Sequence, residues 1–149
     1  MKSVMQLFTA IMAIVCSVLF YTPVLAQSGK VVWNATIHMD AVQAESTSES
    51  WGLAILRVTS DKKLTYKIIV HQVDEGDELS NAHIHYGAAG VNGNFFIPMM
   101  AGVVNLGRNV SIQLTDQQYE ELVNGTQAIY INVHSHTYPG DSIRGQIRE

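Results

Sequence analysis

Two pentapeptides carry most of the chain's imidazole. Asn81-Ala82-His83-Ile84-His85 recurs fifty-one positions later as Asn132-Val133-His134-Ser135-His136, the same Asn-apolar-His-x-His frame, and the pair holds four of the six histidines. Imidazole is the common side-chain ligand of zinc, copper, nickel and iron. In an extended strand alternate side chains share a face. Each copy therefore sends an asparagine and two rings to one side. If the copies lie on neighbouring strands, His83, His85, His134 and His136 converge within reach of one ion, copper or zinc being the fitting choices. Three rings suffice for a site with an open coordination position. The competing reading treats these rings as surface groups or as structural hydrogen-bonders, and ligand spacing without geometry does not separate the two.

Other chemistry is sparse. There is no Gly-x-Ser-x-Gly, no phosphate loop and no zinc-protease helix motif. Ser135 stands between two histidines, but adjacent strand residues face opposite ways, so it is not paired with either as nucleophile and base. The acidic run Asp74, Glu75, Asp77, Glu78 lacks the spacing of a calcium loop and reads as a solvated connection. Arg144 and Arg148 share a face and read as surface pairing groups flanking a strand. Asn34, Asn109 and Asn124 open glycosylation sequons, which matter only in a eukaryotic secretory pathway. No catalytic and no organic-cofactor residue is assigned.

The elements that must position the histidines follow from the apolar patterning. Residues 1–26 have the layout of a cleavable secretory signal: Lys2, an apolar core over Leu7–Leu19, and the small-residue site Val24-Leu25-Ala26 before Gln27. Cys16, the one cysteine, lies inside that core, so the remaining domain, 27–149, offers neither a disulfide nor a thiolate ligand. Loss of Lys2 moves the net charge from −4 to −5. No basic patch with interleaved aromatics appears, which argues against nucleic acid, and no membrane span is expected after cleavage. The expected location is secreted or periplasmic, the partner an extracytoplasmic protein or a metal ion.

Within the domain, residues 31–39 alternate as a half-buried strand, 51–59 and 64–71 form a hairpin about Ser60-Asp61-Lys62, and 81–86 and 127–136 are the histidine strands. Phe95–Met99, 101–106, 109–114 and 143–148 supply further short apolar or extended pieces. Gly87, Gly90 and Asn92-Gly93 mark a turn-rich connection. Thr115-Asp116 caps the single convincing helix, which ends at Asn124-Gly125. About eight short strands with one short helix predict an all-β fold, an antiparallel β-sandwich or Greek-key barrel. On the strand alternation His38, His71, His134 and His136 fall on polar faces, where an aqueous ligand could reach them.

The ordered set Ala82-His83-Ile84-His85-Tyr86-Gly87, the Gly90…Asn92-Gly93 loop, the Thr115–Gly125 helix, Tyr130-Ile131-Asn132-Val133-His134-Ser135, and Pro139-Gly140…Ile143-Arg144-Gly145-Gln146 closely resembles the CHRD (chordin) domain, over residues 31–148. The resemblance implies a secreted β-sandwich domain with no known reaction. His83, His85 and His134 match the family pattern. His136 falls where the family varies, and Asp141-Ser142 stands where the family usually has Gly-Glu. A looser similarity is to copper/zinc superoxide dismutase, another all-β fold with a His-x-His strand; the absence of its disulfide and zinc-loop set means no residue is carried over. Three readings follow: a non-enzymatic binding module with a histidine metal site, an adhesive interaction domain with structural histidines, and, less favoured, a metal-dependent oxidoreductase.

Overall fold

The computed structural model describes residues 29–41, 49–100, 106–140 and 143–149. The expected signal segment, most of the polar run 43–50, most of the 101–106 stretch and the Asp141-Ser142 pair lie outside those residues. Among the described residues there are eight strands and one helix: β1 (Val31–Ala41), β2 (Trp51–Thr59), β3 (Lys63–His71), β4 (Leu79–Tyr86), β5 (Phe95–Met99), β6 (Val110–Gln113), α1 (Asp116–Asn124), β7 (Ile129–Ser135) and β8 (Ile143–Arg148). Every strand pair is antiparallel, and all eight strands join one sheet in the order β5-β4-β7-β8-β1-β2-β3-β6. The expected all-β architecture is present, as a single curled sheet and so nearer the barrel alternative than two stacked sheets.

The curl follows from the patterning. In β2, Gly52, Ala54, Leu56 and Val58 are buried while Leu53, Ile55 and Arg57 face outward. The same period of two runs through β3, β4 and β8. A sheet with one apolar face must cover it, and with only one short helix available the sheet wraps around its own inner face. Met39, Leu56, Leu64, Ile84, Ile131 and Ile143 meet there with no exposed surface. Each fully buried aliphatic side chain is worth about 1.5–3 kcal/mol relative to exposure, so this shared interior sets the strand registers. The expected hairpin is β2–β3, paired from Trp51↔His71 to Val58↔Leu64 around a turn in which Lys62 adopts φ 61°.

The β5 end of the sheet is joined to β3 and to α1 by side-chain bonds. Tyr66 of β3 accepts the Met100 N–H through its hydroxyl at 2.7 Å, and Gln118 Nε2 donates to the Phe96 carbonyl at 3.3 Å. Thr115 begins the helix with a reciprocal capping box. Its hydroxyl accepts the Gln118 N–H at 3.1 Å, and the Gln118 side-chain oxygen accepts the Thr115 N–H at 3.0 Å. At the other end Arg148 donates to the Glu121 carbonyl at 3.1 Å and pairs with the Glu121 carboxylate at 3.0 Å, so it satisfies helix-terminal acceptors and is more than a surface charge. Leu122 puts its whole side chain into the core. Thr115→Ala is therefore expected to cost about 1 kcal/mol and Leu122→Ala about 2–5 kcal/mol in urea-denaturation midpoints, with the slope of the transition unchanged.

Candidate metal centre

The two pentapeptides lie on neighbouring strands. β4 pairs with β7 in the register Ala82↔Val133, His83↔Asn132, Ile84↔Ile131, His85↔Tyr130. Residues directly opposite share a face. Ala82, Ile84, Ile131 and Val133 therefore point together into the core, where all four are fully buried. His83, His85, Tyr130, Asn132 and His134 share the outer face. His134 is the diagonal neighbour of His83, and their rings lie 4.9 Å apart. One ring nitrogen from each of His83, His85 and His134 lies within 4.8 Å of the other two.

The hydrogen bonds decide which nitrogens are available. His134 Nδ1 lies 2.9 Å from the Pro139 carbonyl and His85 Nδ1 lies 3.1 Å from the Gly93 carbonyl. A carbonyl oxygen can only accept, so both rings carry their proton on Nδ1 and, when neutral, present a lone pair at Nε2. His83 Nδ1 is 3.0 Å from His134 Nε2 and donates into that lone pair. His85 Nε2 is buried and has no hydrogen-bond partner among the described residues. The charged, imidazolium form of His83 is disfavoured, so its pKa lies below that of an ordinary histidine. Burial is the main cause, and the neighbouring His134 and His85 add to it.

Two loops roof this face. The expectation of a solvent-facing polar side is corrected here: Asn132 is 1% and His134 8% exposed, and all of β7 is buried on both sides. The 136–140 turn lies against one end, where Asn132 Nδ2 donates to the Gly140 carbonyl at 3.1 Å beside the Pro139 contact. The 87–94 connection folds back over the other end. A β-carbon at Gly93 would collide with the Tyr86 carbonyl, so only glycine lets the backbone pass there and bring its own carbonyl to His85. Arg144 lies 3.3 Å over the Tyr130 ring and donates to Asn92 Oδ1, the Ala88 carbonyl and the Val91 carbonyl. This replaces the expected surface ion pairing. Tyr130 in turn stacks on His85 at 5.2 Å and 14°. Phe95, 54% exposed, stands edge-on to His83 at 5.0 Å and to His85 at 6.1 Å and forms the outer wall.

His136 is not brought to this group. The β7 ladder stops at Ser135, whose N–H and hydroxyl both bond to the Tyr138 backbone, so strand alternation no longer governs the next residue. Its side chain is 69% exposed and points to Glu78, 4.0 Å away. His38 and His71 sit on a different part of the sheet, stacked against Trp51 at 5.8 and 4.3 Å. Arg144, read from the sequence as a surface pairing group, and Tyr130 and Gly93, given no role there, are the neighbours that complete the group. Their signal was their place in the motifs that carried the family resemblance.

The CHRD domain family model matches residues 34–147. The chain belongs to the CHRD domain family. No curated protein and no solved structure matches it. CHRD domains occur in extracellular proteins. Among the described residues no helix is long and apolar enough to cross a membrane.

The lowered His83 pKa has a definite sign in stability. Between the ordinary imidazole value of 6.5 and its lower folded value, the unfolded chain binds more protons at His83 than the folded one. Stability from this group is complete above 6.5, falls as the pH drops through the window, and levels off below the folded value. Urea midpoints measured from about pH 7.5 down to about pH 4.5 should decline for the wild type, and His83→Gln should decline less steeply across the same range.

Proposed function

We propose that this CHRD domain is an extracytoplasmic, non-enzymatic binding module that holds one divalent transition-metal ion through His83, His85 and His134. The observation that carries this reading is the Nε2 atom of His85: buried, without a hydrogen-bond partner among the described residues, and grouped with two further imidazoles, while its own Nδ1–H is held by the Gly93 carbonyl. An orphaned buried acceptor costs about 1–3 kcal/mol, and a bound cation would remove that cost. The fixed Nδ1–H···O=C bonds of His85 and His134 are the arrangement that orients imidazole ligands in metal sites and raises their basicity.

The donor set fits borderline metals. Three neutral nitrogens with no carboxylate or thiolate favour copper, zinc or nickel over calcium or magnesium. Donors about 2.0–2.1 Å from a tetrahedral zinc lie about 3.3 Å apart. The His83–His134 pair already meets that spacing at 3.0 Å, and the spread of the group, within 4.8 Å, requires only small ring movements. A ligand role for His83 Nδ1 requires the neutral ring with its proton on Nε2, and burial and the two adjacent rings favour the neutral form. Secretion from a signal-bearing precursor accords with the family's extracellular occurrence and is part of this proposal.

A second reading is a structural one, in which the rings lock the strands and loops of an interaction domain. The bonds from His134 to Pro139 and from His85 to Gly93 favour it, since they persist without any ion. Titration of the purified domain with Cu(II), Zn(II), Ni(II), Ca(II) and Mg(II), followed by calorimetry and metal analysis, separates the two. The metal reading expects 1:1 binding of at least one of the first three ions, none of the last two, loss on His85→Ala or His134→Ala, and retention on His136→Ala. Affinity should fall as imidazole protonates below about pH 6. Unchanged melting in every metal and in chelator, with no saturable binding, would leave the structural reading in its place.

A further inference from the structure

We infer that Arg144 is a positioning residue for His85, acting through the 87–94 loop to hold the ring in the Nδ1–H form that leaves Nε2 open; the inference rests on the metal reading for its purpose but not for its test.

The 87–94 loop is anchored differently at its ends and at its crown. Its two ends are tied to the sheet by backbone bonds, Tyr86 N–H to the Asn94 carbonyl at 2.9 Å and Gly87 N–H to the Ala128 carbonyl at 2.8 Å. Its crown is different. Residues 88–92 are exposed, Val91 by 54%, and Gly90 takes φ 76°. Such a segment has little apolar burial to order it. What holds the crown down is Arg144, whose guanidinium reaches the Asn92 side chain at 3.2 Å and the Ala88 and Val91 carbonyls at 2.7 and 3.0 Å. Its acceptors among the described residues are neutral, so these bonds fix loop geometry and do not neutralise a charge.

The same cation lies over Tyr130, and β8 and β4 flank β7 on opposite sides, so the phenol ring is held between Arg144 and His85. Tyr130 also accepts the Gly93 N–H through its hydroxyl at 3.3 Å. Both routes from Arg144 end at His85: one through the loop to the Gly93 carbonyl that takes the Nδ1 proton, the other through the Tyr130 ring stacked on the imidazole. With the Gly93 carbonyl released, the proton can move to Nε2, where it occupies the position a metal needs.

The test reads the tautomer directly, by nitrogen-15 NMR of the ring in metal-free protein. In the wild type His85 should show a protonated Nδ1 and an unprotonated Nε2. Arg144→Ala should shift His85 toward the Nε2–H form, speed amide exchange at Gly93, and weaken Cu(II) or Zn(II) binding by about 10–100-fold, the range for loss of a ligand's orienting partner. Arg144→Lys keeps a cation near Tyr130 but cannot serve three acceptors, and should fall between the two; it also decides the matter if the alanine variant does not fold. A purely structural role would lower the melting temperature and leave the tautomer as in the wild type. That result, with metal affinity within about threefold of wild type where 10–100-fold is expected, would overturn the inference. A wild type that binds no metal defeats the proposed function, while the tautomer comparison still decides the role of Arg144.

Discussion

The antiparallel register between β4 and β7 is the constraint on which the rest of this domain depends. It pairs Ile84 with Ile131 and Ala82 with Val133 on the inner face, and so pairs His83 with Asn132 and His85 with Tyr130 on the outer one. A slip of one residue would turn every side chain of one strand to the opposite face. In β7 that would take Ile129, Ile131 and Val133 out of the interior, each at about 1.5–3 kcal/mol, and bring Tyr130, Asn132 and His134 into it. The core is thus what sets the site. The histidines meet because the aliphatic residues between them must.

Once the outer face of β7 is covered, its polar groups need partners, since a buried polar group without a hydrogen bond is costly. The loops that cover it provide them. Pro139 and Gly140 present carbonyls to His134 and Asn132, and Gly93 presents one to His85. Those loops are in turn secured by polar bonds: Arg144 and Gln146 on the 87–94 segment, and the Asp77 carboxylate accepting the Thr137 N–H on the 136–140 turn. Ring tautomer, loop path and strand register are one connected set of hydrogen bonds, and none of the three can be altered without strain on the others.

The outer face of β1–β3 shows why ring content alone does not make a site. His38, Trp51 and His71 stack in a row across three strands, with His38 3.2 Å from Asp40 and the Trp51 indole N–H bonded to Gln72. The two imidazoles are separated by the indole, both are exposed, and among the described residues no loop carbonyl fixes their protonated nitrogen. In the β4–β7 group three imidazoles face one another under a roof. The difference lies in convergence and in the acceptors behind each ring, and both are properties of the packed molecule.

Much of the architecture was legible in the chain. The apolar run 51–59 and the alternation of 64–71 about Ser60-Asp61-Lys62 foretold the hairpin, and Thr115-Asp116 announced the helix because capping is a local interaction. The repeated Asn-x-His-x-His frame foretold that His83, His85 and His134 lie on strands, and the ordered motifs foretold the CHRD family. What the sequence could not decide was everything set by contacts distant along the chain. Alternation left His136 level with His134, and only the family resemblance set it apart, because alternation carries no mark of where a ladder ends; Ser135 and Tyr138 close a turn there and the ring points to Glu78. It left Arg144 a surface charge, because its acceptors lie more than fifty residues away. It placed His134 on an open polar face, because loops that fold over a sheet leave no period in the residues they cover. Local patterning determined which residues are strands and which side each ring leaves from; only the tertiary structure decided which rings meet, which nitrogen each one offers, and what holds it there.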